Sequence, residues 1–152
     1  MSDHPAITLA QAIANLMAST PPTAGWSQSF TAQRSYLPIM DTAKVGPELH
    51  VFVIPAMPTP DERETRGDYL RELAVRIVVQ RKLSSTANAE VDPMVALMNQ
   101  IEQWMAGREP GVTGMVWARM EPSGQLYYEG DLNEFNVFNA SATAVYQVRR
   151  TG

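Results

Sequence analysis

The sequence predicts a single α+β domain over residues 1–152. Its mainly antiparallel, twisted sheet is covered by two amphipathic helices and carries a protruding charged hairpin arm over about residues 55–70. Three stretches predict this. Tyr69 to Leu83, YLRELAVRIVVQRKL, alternates with a period of two, placing Leu73, Val75, Ile77 and Val79 on one face and Ala74, Arg76, Val78, Gln80 and Lys82 on the other. A helix tolerates its crowded β-branched run poorly, so the stretch reads as a long strand. ELHVFVI is a second strand, apolar on both faces at Phe52 and Ile54, hence central or covered. DPMVALMNQIEQWM sets Met94, Leu97, Met98, Ile101, Trp104 and Met105 on one helical stripe, the face that would cover the sheet.

Taken in order, Thr8 and Gln11 match a capping box, and Leu9, Ile13, Leu16 and Met17 then recur at helical spacing until Pro21 and Pro22 stop the helix. WSQSFTAQRSYL, Trp26 to Leu37, alternates weakly and predicts a strand with one wet face. Pro38, Asp41 and Gly46-Pro47 mark the connection to ELHVFVI. PAMPTP and then DERETRGD, in which six of eight residues are charged, have no place in a core and predict the solvated arm. If the long strand extends fully over its fifteen residues it reaches about 50 Å and forms one leg of that arm.

SSTANAEV predicts a turn-rich loop, after which Asp92-Pro93 supplies an N-cap acceptor and a first-position proline. Gly107 ends that helix, with Trp104 at the rim. GMVWARME, QLYYEG and SATAVYQVRR predict three more strands, separated by Pro122-Ser123-Gly124 and by DLNEFNVFN. Short turns and the lack of repeated strand-helix-strand crossovers predict antiparallel pairing.

A net charge of −4 argues against a general nucleic-acid binder, which needs a surplus of Lys and Arg on one face. The chain has no cysteine, which excludes disulfides, thiolate catalysis and Cys-based zinc sites. LAQAIANLM lacks the basic flank of a signal peptide, and no run approaches the ~18 apolar residues of a membrane span, so a soluble, cytoplasmically made protein without a membrane partner is expected. His4 and His50 have no metal-ligand spacing to other donors, and His50 reads as a packed or surface residue. GVTG precedes a strand and lacks the lysine of a phosphate loop, and no GxSxG occurs. Asp61, Glu62 and Glu64 lie among arginines with no apolar pocket to raise a pKa. The residues therefore predict no catalytic centre, cofactor or metal. Mixed-sign pairs between these carboxylates and Arg63, Arg66 or Arg71 would suit contact with a neighbouring copy, since such pairs select geometry more than affinity.

The succession of a first amphipathic helix, a strand, RELAVRIVVQRKL, the helix DPMVALMNQIEQWM and the closing FNVFNASATAVYQVRR resembles the tail-terminator (tail-completion, minor tail) proteins of tailed bacteriophages. The resemblance covers most of the chain in arrangement, through degenerate apolar motifs; Trp26 to Leu37 and PAMPTP have no counterpart in it. It implies a virion protein at the tail–neck junction, assembled in the host cytoplasm. Such proteins form a ring, commonly a hexamer, that caps the tail tube and joins it to the neck or stopper protein while DNA passes without specific binding. Six copies would carry 6 × (−4) = −24 formal charges, which would repel passing DNA if they faced the bore. On this reading Arg63, Glu64, Arg66, Arg71 and Arg76 are expected subunit contacts, with Arg149 and Arg150 near a partner ring. Two alternatives stand beside it: another neck or baseplate protein, and a small dimeric ligand-binding or hydrolytic α+β domain.

Overall fold

A computed structural model describes residues 4–57, 70–121 and 123–149. Helix α1 (Pro5–Ser19) is followed by β1 (Ala32–Arg34), a single 3-10 turn at Thr42–Lys44, β2 (His50–Ala56) and β3 (Leu70–Lys82). Helix α2 (Asn88–Met105), β4 (Met115–Glu121), the short α3 (Glu129–Phe135) and β5 (Val137–Arg149) complete the α+β domain. The five strands form one sheet in the order β1-β2-β3-β5-β4. All neighbouring pairs are antiparallel except β1 and β2, which run parallel. The sheet is thus mainly antiparallel, as expected, and the one parallel pair arises because the connection after β1 returns to the start of β2 instead of turning tightly into it.

The alternation of the long strand is observed. Leu73, Val75, Ile77 and Val79 face the core with Phe138, Ala140, Ala142, Ala144 and Tyr146 of β5, under Leu9, Ile13 and Met17 of α1 and Met94, Leu97 and Ile101 of α2. β3 pairs with β5 over all 13 of its residues, from Leu70 opposite Arg149 to Lys82 opposite Val137. β2 stops at Ala56 opposite Ala74, so β3 runs past it by four residues. Of the expected arm, Pro55 and Ala56 belong to β2 and Leu70 to β3; residues 58–69 lie outside the described residues. Pro55 is tolerated because its nitrogen points to the side of β2 that faces β1, and β1 ends opposite Val53, so that side is a free edge there.

Several element boundaries differ from expectation. α1 starts three residues before Thr8: Pro5 occupies the first helical position, where its missing N–H costs nothing, and the Nδ1 of His4 accepts the N–H of Ala6 at 3.0 Å. Gln11 instead bonds Asn15 and Arg34. The strand expected over Trp26–Leu37 shrinks to Ala32–Arg34 because Trp26 turns inward. Its indole donates to the Met17 carbonyl, Trp104 donates to the Thr20 carbonyl, and the two rings lie 5.6 Å apart. Two tryptophans thus satisfy carbonyls that the end of α1 leaves open. Trp104, expected at the rim, is buried.

α2 begins at Asn88 and not at Asp92, and Pro93 lies inside it. The extra turn packs a partly buried Val91 against the core, and the Glu90 carboxylate is held by the Ser84 hydroxyl at 2.6 Å. Gly107 follows the helix in the left-handed region, at φ 76°, as its position predicts. The last third contains two strands, not three. QLYYEG leads into α3, and Asn136, at φ 55°, ends that helix so that β5 starts at Val137. A seven-residue helix burying only Leu132 is too short to show a helical period.

The second face of the sheet is neither bare nor simply wet. Ala74, Val78, Gln80 and Val145 on it are all fully buried. Over one end runs the connection from β1 to β2, held by Gln80. Over the other, Arg119 of β4 reaches across β5 to Glu72 of β3, its two guanidinium nitrogens 2.7 and 3.3 Å from the carboxylate oxygens.

Candidate assembly surfaces

Among the described residues, no group of three or more His, Asp or Glu side chains could hold a metal. The phenol of Tyr146 is the group among the described residues whose titration is disturbed. Burial, and then the charge of Glu109, push its pKa well above the ordinary tyrosine range. Its hydroxyl donates to the Arg108 carbonyl at 3.2 Å, and the Arg108 guanidinium stacks on Trp104. This is a tether between β5 and the end of α2, not a reactive group. His50 is half-buried and stacks on Phe52, a packed histidine as its isolation in the sequence predicts.

The residues predicted as contacts do not form one cluster. Arg63, Glu64, Arg66 and Arg150 lie outside the described residues. The guanidinium of Arg71 lies 3.0 Å from the Nε2 of His4, at the start of α1; the arm carboxylates expected to pair with it lie outside the described residues. The two His4 contacts compete, because a neutral imidazole accepts at one nitrogen only. The backbone of Arg149 pairs with Leu70, which brings β5's last residue to the same end of the sheet as Arg71. Arg76 lies five residues further along β3, roughly 17 Å away, on the second face between Ile54 and Thr143. It is half-buried and makes no ion pair among the described residues. The described charges on this face of β3 and β4 are Glu72 and Glu121 against Arg76, Lys82 and Arg119, so the acidic surplus expected of a bore is not concentrated there.

What the sequence did not disclose is a pair of unlike exposed surfaces, one on the connection that crosses the second face from β1 to Gln80 of β3 and one beside β4. Beyond β1, Tyr36, Leu37 and Met40 expose 61, 63 and 72 % of their surface within five residues. Arg34 borders them: its Nε donates to Gln11, its guanidinium lies 5.5 Å over the Tyr36 ring, and its Nη1 is buried without a partner. Val116 of β4 and Leu126 after it are exposed, and an open cleft of about 530 Å³ lies over Ser141 and Ala142. In the sequence, SYLPIM has no period, and a connection of such residues gives no sign of which side chains end in water.

Neither edge invites simple strand addition. β1 has only three residues. β4 shifts register between Trp117 and Arg119, and the carboxylate of Glu109 takes the Trp117 N–H at 3.3 Å. Short, kinked and side-chain-capped edges resist sheet-to-sheet fusion. Contact at these edges would be made by side chains.

The sequence matches no protein-family model and no curated protein. No helix among the described residues is long and apolar enough to cross a membrane.

Proposed function

We propose that this protein is a structural component of a phage tail, a terminator whose copies form a ring that caps the tail tube and joins it to the neck. The observation that supports it most directly is the exposure of two different apolar surfaces at separate places on the domain, Tyr36, Leu37 and Met40 on the connection over the second face and Leu126 beside β4. Two unlike surfaces that meet each other make head-to-tail contacts, and these close into rings when the rotation allows. A self-complementary dimer would instead present one patch twice. In this role the chain performs no chemistry; it offers the tube protein, the neck protein and its own copies fixed surfaces, and leaves passing DNA unbound.

The order of helix, strands, long strand and helix that resembles the terminators adds to this reading. The test is mass in solution across a wide concentration range, by light scattering after size exclusion, with negative-stain imaging. A closed ring near six times 16.8 kDa, or rings that form on concentration or on mixing with tube protein, is the expected result. A tight dimer at every concentration would overturn it.

A further inference from the structure

We infer that the cleft between α1 and Arg34 is a binding site for a carboxylate. Its floor is polar because of helical spacing. Thr8, Gln11 and Asn15 recur at intervals of three and four residues, so they share a stripe of α1 beside the buried stripe of Leu9, Ile13 and Met17. The edge strand β1 brings Arg34 alongside that stripe. Together they bound an open cleft of about 330 Å³, lined by Ile7, Thr8, Gln11, Ala12, Asn15 and Arg34.

The hydrogen bonds inside the cleft use up its amide acceptors. Arginine can only donate, so the Gln11 side-chain oxygen must face Arg34, and it takes the Nε–H at 3.1 Å. That turns the Gln11 amide nitrogen toward Asn15, whose oxygen accepts it at 3.0 Å. Donors are what remain. They are the Asn15 amide nitrogen, the Thr8 hydroxyl and the two terminal nitrogens of Arg34, none of which has a hydrogen bond among the described residues.

Charge points the same way. Helix α1 has no charged residue, no residue lining the cleft is acidic, and Arg34 makes no ion pair among the described residues. Its Nη1 is buried without a partner, so a half-buried cation is left with its bonding incomplete. The guanidinium is also held in place, by Gln11 and by the Tyr36 ring 5.5 Å away. A fixed fork with one positive charge and two neutral donors beside it matches a group with two oxygens and one negative charge. That group is a carboxylate. A phosphate brings more negative charge than one arginine offsets, and a cation would meet Arg34 with nothing to offset it. As the carboxylate enters, the guanidinium tilts toward it and Nη1 gains the partner it lacks. Two sources offer this chemistry, a small free carboxylate and an Asp or Glu side chain of a neighbouring protein molecule.

The test is a titration of nitrogen-labelled full-length protein, followed by NMR, with sodium acetate replacing sodium chloride at constant ionic strength. Saturable shifts should appear at the Arg34 Nε–H, the Asn15 side-chain amide and Thr8. Arg34→Gln should weaken acetate binding roughly tenfold or more while the rest of the spectrum stays in place. Thr8→Val keeps the shape and removes only the hydroxyl, so it should weaken binding about threefold and serves if Arg34→Gln does not fold. Shifts that never saturate, or that are unchanged in either variant, would overturn the site. Light scattering in the two salts separates the sources: a smaller mass in acetate identifies a carboxylate from a neighbouring molecule, and saturable binding at unchanged mass identifies a free one. The site does not depend on the ring proposed above, whose test is the mass in chloride alone.

Discussion

The side-chain amide of Gln80 closes a two-way hydrogen bond with the backbone of Ile39. Its Nε2 donates to the Ile39 carbonyl and the Ile39 N–H donates to its Oε1, each at 2.9 Å. Gln80 is fully buried, so these bonds replace water that cannot reach the site. One side chain on a central strand thereby pins the connection that carries Tyr36, Leu37 and Met40.

Gln80→Leu should therefore act twice. It leaves the Ile39 N–H and carbonyl without partners, at a cost of about 1–3 kcal/mol for each group that stays buried. It also frees the connection, so assembly should weaken more than folding stability does. Urea unfolding read beside light scattering checks this, and an unchanged unfolding midpoint would contradict it.

Truncation of the α2 stripe should show how much of the fold rests on helix-to-sheet packing. Leu97 and Ile101 are fully buried in the core, so either change to Ala should cost about 2–5 kcal/mol. The spread depends on how far α2 can settle onto Ala142 and Ala144. Chemical unfolding measures it, and a loss below 1 kcal/mol would place the stripe outside the core.

The Arg119–Glu72 pair spans β5 in good two-pronged geometry, with side chains 40 and 21 % exposed. Solvent screens a pair this exposed, so its coupling in a double-mutant cycle should be about 0.5–1 kcal/mol and should shrink as salt is raised. A coupling that does not respond to salt would mean that Arg119 acts by covering Val145 and not through its charge.

Alkaline pH should destabilise the protein through Tyr146. Its pKa is raised above 10 in the folded state, mainly by burial, so at higher pH the unfolded chain gives up a proton that the folded chain retains. The folded state then binds more protons than the unfolded one, and stability present below pH 10 falls as pH rises beyond it. Thermal melts from pH 9 upward should show this decline, and Tyr146→Phe should flatten it while losing about 1 kcal/mol at neutral pH with the bond to Arg108. Equal slopes in both proteins would show that other groups carry the effect.

Charge reversal at Arg76 tests whether the second face takes part in assembly. Arg76→Glu should weaken oligomer formation and leave the circular dichroism spectrum of the monomer unchanged, because the side chain makes no ion pair among the described residues. The same outcome is expected for Arg66→Glu in the expected arm. Unchanged assembly would remove these arginines from the contact surface.

The sequence by itself determined the parts whose residues repeat. β3, from Leu70 to Lys82, was legible because its β-branched residues alternate with period two. α2 was legible because Met94 to Met105 repeat the helical stripe, although its start was not, since Val91 gains its place only by packing. Tertiary structure decided the rest. Trp26 left its expected strand for a carbonyl of α1, Asn136 cut a short helix from what had read as connection, and Gln80 took the backbone of a segment 41 residues away. The candidate surfaces belong to this second group. Periodicity reports which residues share a face of one element, but Tyr36, Leu37 and Met40 are exposed together only because Ile39 between them is bonded to a distant strand. The cleft beside Leu126 likewise exists only because β4 ends before β5 does.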